Sequence, residues 1–383
     1  MQQFGDFPVY SEVELESAVT AGTLSRESAD ALRAHVSDLR ESPLADEEQF
    51  RLVTSFNDIF VAMAGVLVLI GVGWIGGSVA PFVGAAAVSA ASWGLAEFFT
   101  RKRRMAFPSI LFFLTFVIGI YYAVVSAFGP MFRFQAASGQ SYATALSNYA
   151  WHSALASFVV IGAAWAHWKR FMVPIAFATI VGAIAYTLYG VVNAALLPRI
   201  AQPSDLRGFV HTYQLMMWFV LIIGLAVFAY AMHWDMQDRA RQSGKADVAF
   251  WLHLVASPLV VHPVFVLVGM NMLSVFSPTG SDFARLSTSG TFIAITAIII
   301  YALLAVVALV VDRRAILVSA LVYVLAAAIY LARQAGSSEI GFAVAIIVIG
   351  SSLLMLSAFW QKMRRSVMAL VPENLRERMP LMS

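Results

Sequence analysis

Apolar runs about as long as a lipid bilayer is thick recur ten times along this chain, and nothing else in the sequence restricts its fold so strongly. A helix rising 1.5 Å per residue needs roughly 20 residues to cross about 30 Å of hydrocarbon. Runs of that kind lie near 59–77, 79–99, 108–128, 150–168, 171–196, 209–233, 248–276, 291–311, 315–333 and 340–360. They predict helices, because a lipid-facing backbone must satisfy its own hydrogen bonds and no run shows the ten-residue alternation of a barrel strand. The expected fold class is all-α, a polytopic bundle of about ten transmembrane helices. Composition agrees: of 383 residues 60% are hydrophobic and 12% charged, about half the roughly 25% charged fraction of a soluble domain.

Charge divides the chain into three parts. Residues 1–57 form an acidic segment: up to Asp58 the chain holds twelve of the 22 acidic and four of the 25 basic residues, a net charge of −8. Residues 58–361 form the membrane domain, and 362–383 a basic tail. The turns after even-numbered spans, with the tail, carry sixteen basic residues, and the turns after odd-numbered spans carry five. The positive-inside rule therefore predicts that both termini lie in the cytoplasm. No basic start followed by a short apolar core and a cleavage site precedes Asp58, which fits the same expectation. Cysteine is absent, so disulfides, thiolate metal sites and iron–sulfur clusters are excluded.

The acidic segment reads as two short helices. Ser11 and Glu14 stand in capping-box spacing ahead of a stop at Gly22, and Ser25 caps a second run with an apolar stripe at Ala29, Leu32, Val36 and Leu39. The pair has the outline of a helix-turn-helix, but phosphate binding needs a basic face, so no nucleic-acid partner is expected. A cap that packs on the membrane domain or on a protein partner fits the charge better. The stretches LESAVTAGTLSRESADALRAHV, FNDIFVAMAGVLVLIGVGWI and GLAEFFTRKRRMAFPSI resemble a group of predicted bacterial inner-membrane proteins that place an acidic two-helix start before a many-span domain. The resemblance covers roughly the first hundred residues and implies a bacterial inner-membrane location. It brings no activity and no functional residue.

Three alignments suggest an internal repeat. RRMAFPSILFFLTFVIGIYYA from Arg103 lines up with RRAILVSALVYVLAAAIYLAR from Arg313, NDIFVAMAGVLVLI from Asn57 with ADVAFWLHLVASPLVV from Ala246, and VVIGAAWAHWKRFMVPI from Val159 with VIGSSLLMLSAFWQKMRRSVMALVP from Val348. Spans 1–4 and 7–10 then form two copies inserted in the same direction, a parallel repeat of the kind found in some transporters.

The seventh span carries chemistry that its counterpart lacks. In DVAFWLHLVASPLVVHPVF, Asp247 to Phe265, each proline lacks an amide hydrogen and crowds the carbonyl four residues back. Pro258 frees the carbonyl of Leu254 and Pro263 that of Leu259, predicting a broken or kinked helix. His262 falls at mid-span, about 20 Å from either surface. Such an imidazole either lines a polar site or hydrogen-bonds a freed carbonyl or a nearby Tyr or Ser as structural glue. His253 lies nine residues earlier, about 13 Å along an unbroken helix, too far to share one metal ion with His262. Asp247, His253, Pro258, His262 and Pro263 are the first candidate site.

Two further polar groups gather near span ends: His152, Asn193, His211 and Asn271 on the predicted outer side, and Glu97, His167, His233 and Asp235 on the predicted inner side. Two histidines and a carboxylate form a zinc set, and an inner His–Asp–Glu group a proton path, yet no metal-binding spacing such as His-Glu-x-x-His occurs. There is no phosphate-binding Gly-Lys-Ser/Thr loop and no Gly-x-Ser-x-Gly elbow, and no cofactor is identified. Three functions stay open. A secondary transporter or carrier of a small or amphipathic molecule near the seventh span is favoured by the repeat and the prolines. A membrane scaffold or assembly protein is favoured by the acidic cap and by the expectation that only histidines among ionisable residues lie deep. A His-ligated haem or metal-binding membrane enzyme is the third. The partners implied are the lipid bilayer, a small-molecule or lipid substrate, and a protein at the acidic segment.

Overall fold

The computed structural model describes residues 12–32, 56–128, 142–200, 206–238, 244–268, 290–314, parts of 316–325, 339–376 and residue 379. Among these the chain is all-helical, with no strand. A short amino-terminal helix, Glu12–Thr20, ends at Gly22, whose φ of 71° is the left-handed conformation expected of a stop signal.

The membrane domain is built from α1 (Phe56–Val79), α2 (Pro81–Ala96, continued by a π-helical turn, Glu97–Lys102), α3 (Ala106–Ala127), α4 (Tyr142–Phe171), α5 (Pro174–Ile200), α6 (Leu206–Gln237) and α7 (Gly244–Leu267). All seven include a segment long and apolar enough to cross a membrane. The expected eighth to tenth spans correspond to α8 (Gly290–Val311), to the helical residues described within 316–325, here α9, and to α10 (Glu339–Ala358). The apolar stretches described in α8 and α10, Ile298–Val311 and Ile349–Ala358, are shorter. Two short helices follow, α11 (Trp360–Met368), which is amphipathic, and α12 (Glu373–Arg376). This is a multi-pass membrane protein.

The helices turn back with very little chain between them. Ala80, extended at φ −163° and ψ 150°, alone separates α1 from α2, and Pro81 starts the new helix where a missing amide costs nothing. The two backbones touch there: a Cβ on Gly76 would stand 2.8 Å from the Gly84 Cα. Among the described residues three that are not glycine have positive φ, Arg104 (53°), Met172 (56°) and Asp312 (58°). They sit in the turns α2–α3, α4–α5 and α8–α9, all at the end of the bundle that carries the basic residues. A left-handed conformation at such residues costs roughly 1–2 kcal/mol each, so packing around each turn has to hold it.

From α1 to α7 adjacent helices pack in order along the chain, with α5 also against α7 and α1 also against α3. Small hydroxyls reach backbone carbonyls across the contacts: Ser89 Oγ to Phe116 O at 3.1 Å, Ser157 Oγ to Ala183 O at 3.0 Å and Ser147 Oγ to Ala194 O at 2.7 Å. In lipid, where burying apolar surface gives helices no preference for each other, such bonds and close backbone packing are the available cohesion.

The seventh helix corrects one expectation. It runs unbroken from Gly244 to Leu267 with Pro258 and Pro263 inside it, and is not two half-helices. Where Pro263 frees the Leu259 carbonyl, α6 presents Gly224 so closely that a Cβ there would stand 2.6 Å from both the carbonyl carbon and its oxygen. The neighbouring backbone covers the released group, and Cα–H contacts of this kind recur at close helix crossings. No open half-helix end is needed to accommodate it.

Candidate functional site

Of the proline–histidine motif, Pro258 is exposed, Pro263 is buried and His262 is half-buried. His262 Nδ1 and the Tyr323 hydroxyl of α9 share a hydrogen bond, and Tyr323 stacks flat on Phe265, ring centroids 4.3 Å apart at 2°. Val261, Phe265, Ala320 and Tyr323 form one packed cluster. The mid-span imidazole is thus tied to a tyrosine that is itself 4% exposed, the arrangement of interhelical glue.

His253, on the same helix, takes part in a different structure. Its Nε2–H donates to Asp235 Oδ2 of α6 at 2.8 Å. Arg313, from the α8–α9 turn, donates through Nη2 to Asp235 Oδ1 at 2.5 Å and through Nε to Oδ2 at 3.2 Å. Arg313 Nη2 also lies 3.4 Å from the Ala246 carbonyl, beside Asp247 in the first turn of α7. Asp235, His253 and Arg313 are each no more than 1% exposed. Next to them Asp312 accepts from Trp360 Nε1 at 2.8 Å and pairs with buried Arg364 at 3.6 Å, while Arg314 lies over the Trp360 ring at 4.8 Å. Three consecutive residues of one turn therefore bind α6, α7 and α11 together, and the αL strain at Asp312 is held by its two partners. Histidines are not the only buried ionisable residues: Asp58, Asp235, Arg313 and Arg364 are each no more than 2% exposed. Nor does the Asp–His pair point at a nucleophile, since Ser257 gives its hydroxyl to the His253 carbonyl at 2.7 Å.

The other predicted inner residues do not join this group. Glu97 bridges Arg170, with Nε to Oε1 at 2.7 Å and Nη2 to Oε2 at 3.1 Å, and also Arg101 at 3.4 Å. His233 is exposed and accepts from Gln237 at 2.8 Å. His167 is fully buried among Trp93, Phe113, Phe116 and Phe171, with centroids 4.4–5.7 Å away, and neither ring nitrogen has a hydrogen-bond partner. Among the described residues no three His, Asp or Glu side chains come together as a metal-binding group.

At the opposite end of the bundle the picture is different. A cavity of about 340 Å³ lies between α4, α5 and α6, lined by Tyr149, Tyr186, Tyr189, Tyr213, Asn193 and Thr212, with smaller residues and Met216 completing the wall. Among the described residues no acidic, basic or histidine side chain lines it. At Gly190 α4 and α5 come close: a Cβ would meet that of Ala154 at 2.8 Å. One of the four predicted outer residues, Asn193, lines the cavity. His152 turns its Nδ1 onto the Asn148 carbonyl at 2.6 Å, His211 is exposed, and Asn271 lies outside the described residues. The tyrosines were missed, although Tyr186, Tyr189 and Asn193 fall at i, i+3 and i+7, a polar stripe on one face of an apolar helix.

No family model, curated protein or solved structure matches the chain. The reading of function rests on this geometry.

Proposed function

We propose that the chain is a carrier for a small, uncharged, amphipathic molecule, and that its binding site is the α4–α6 cavity rather than the His262 region. The observation that carries this is the cavity itself: seven hydroxyl or amide side chains, counting Ser153, surround unfilled space, with no charged side chain among the described lining residues. Buried polar groups placed beside open volume are the usual mark of a ligand site. His262, by contrast, shares its Nδ1 with the Tyr323 hydroxyl, and both carboxylate oxygens of Asp235 are bonded by His253 and Arg313.

The resemblance of the first hundred residues supports placing the protein in a bacterial inner membrane, and the basic turns support a cytoplasmic position for both termini. A parallel relation between the halves belongs to the same reading, and is supported by the sequence alignments of spans 1–4 with 7–10. With no cysteine in the chain, Lys362→Cys should stay unlabelled by an impermeant thiol reagent in intact cells and Ser204→Cys should react. The reverse pattern overturns the orientation.

The site is tested by native mass spectrometry of protein extracted from its own membrane. A bound small molecule should appear on the wild type and on His262→Gln, and be lost from Asn193→Leu/Tyr213→Phe. The isolated molecule, added to vesicles, should cross leaflets faster when the protein is present. Retention by the cavity variant, or loss only with His262, contradicts the proposal.

A further inference from the structure

The walls of the cavity narrow the class of molecule that it takes, granted the reading above that this is the binding site. A headgroup carrying phosphate or carboxylate would have to leave its charge against hydroxyls and one amide, because no basic side chain among the described residues lines the space. An unpaired charge at membrane depth is too costly for that. The ligand is therefore neutral.

The way in points to lipid. Tyr186 stands twelve residues from Pro174 and ten from Leu196, the ends of the spanning part of α5, hence about 18 Å and 15 Å along the helix axis. At that mid-membrane level the side chain, which lines the cavity, is 41% exposed. Tyr149, near the far end of α4, is 54% exposed. Both tyrosines line the cavity, and an opening past Tyr186 to the bilayer belongs to the proposal. A water-soluble solute has no use for such an opening, whereas a polar head with an apolar tail enters through it with the tail left in the bilayer.

The shape selects a ring. The Tyr186 and Tyr189 rings lie 6.3 Å apart at 42°, and Tyr186 meets Tyr121 of α3 at 6.5 Å. Flat aromatic faces with hydroxyls at their rims suit a planar group that stacks on one ring and accepts hydrogen bonds at its edge. Tyr, Thr and Asn all supply donors. The volume of about 340 Å³ is at the small end of the roughly 300–1,000 Å³ range of ligand sites, room for one substituted ring rather than a pair of acyl chains.

We propose that the α4–α6 cavity binds the headgroup of a membrane-soluble quinone, its ring carbonyls accepting hydrogen bonds from this donor set and its tail leaving past Tyr186 into the bilayer. The test uses the full-length protein in nanodiscs and two photoreactive probes, a short-tailed azidoquinone and a diacylglycerol analogue. The quinone should label peptides of α4, α5 and α6, and unlabelled decylubiquinone should suppress that labelling while decyl phosphate does not. Asn193→Leu and, with the ring retained, Tyr213→Phe should each weaken competition by roughly fivefold, the effect of one lost neutral hydrogen bond. Unchanged thermal midpoints show that both variants are folded; if one fails to fold, the other decides. Labelling of the cavity by the diacylglycerol probe alone overturns the quinone assignment and leaves the carrier reading standing. Failure of both probes to label α4–α6 overturns both.

Discussion

The two ends of the helix bundle solve the problem of polar groups in a membrane in opposite ways. At the basic end, Asp235, His253 and Arg313 are charged or chargeable and almost completely buried, and they are packed onto one another. At the other end, four tyrosines, Asn193 and Thr212 are neutral and border open space. The first arrangement uses up its hydrogen-bonding capacity in holding α6, α7 and the α8–α9 turn together. The second borders unfilled space: Ser153 donates to the Ala150 carbonyl at 3.0 Å, yet the side chains leave room beside them for a molecule that is not part of the chain. Charge and burial alone would have chosen the basic end as the functional site; whether there is room beside the polar atoms decides for the other.

The largest effect should come from breaking the charged end. Arg313→Met leaves Asp235 buried with an imidazole as its remaining close partner, and removing one member of a buried ion pair costs about 3–5 kcal/mol. Thermal or denaturant unfolding in detergent should show that loss. Arg103→Met, at the aligned position of the exposed α2–α3 turn, should change stability by no more than about 0.5 kcal/mol. Equal effects at the two turns would remove the distinction between a structural and a merely orienting arginine. Ligand retention in Arg313→Met, where the protein survives, should be unchanged.

The two deeply buried histidines give a smaller and oppositely signed effect. His167 sits in an aromatic box with both nitrogens unpartnered, so His167→Phe removes a polar group that gains nothing from burial and should stabilise the protein by about 1–3 kcal/mol. His253→Phe, which deprives Asp235 of a donor, should destabilise it. A destabilised His167→Phe would mean that the imidazole has a role the ring contacts do not reveal. Smallest of all, His262→Ala removes one intramembrane hydrogen bond to Tyr323 and should lower stability by ~0.6 kcal/mol, with an upper end of ~1.7. Loss of the bound molecule in that variant would return the site to the seventh helix.

These contrasts also explain what could be read before the fold was known. Run length and the spacing of basic turns located α1 to α7 correctly, because in a bilayer the thickness of the hydrocarbon dictates helix length whatever the tertiary packing. Asp235 and Arg313 were not joined: they lie 78 residues apart, and no spacing rule connects a helix end to a turn two hairpins later. Arg313 was counted only as one more orienting charge. The prolines of α7 suggested a break because the sequence cannot show that Gly224, on another helix, closes over the carbonyl that Pro263 releases. The cavity could have been half seen in the Tyr186–Tyr189–Asn193 stripe, but its other walls, Tyr149 and Tyr213, come from helices whose register against α5 is a property of packing.

Accessibility of single cysteines tests the comparison most directly, since the chain contains none of its own. Met216→Cys, in the cavity wall although only 5% exposed, and Ala249→Cys, in the same α7 segment as His253 and 0% exposed, are placed in otherwise identical proteins in nanodiscs. Both are exposed to N-ethylmaleimide, which is neutral and enters lipid. Room beside the polar residues at one end and none at the other predicts that Met216→Cys is modified rapidly and is protected by the bound molecule, while Ala249→Cys reacts only when the protein unfolds. Equal rates at the two positions, or a Met216→Cys that reacts only on unfolding, would contradict the account.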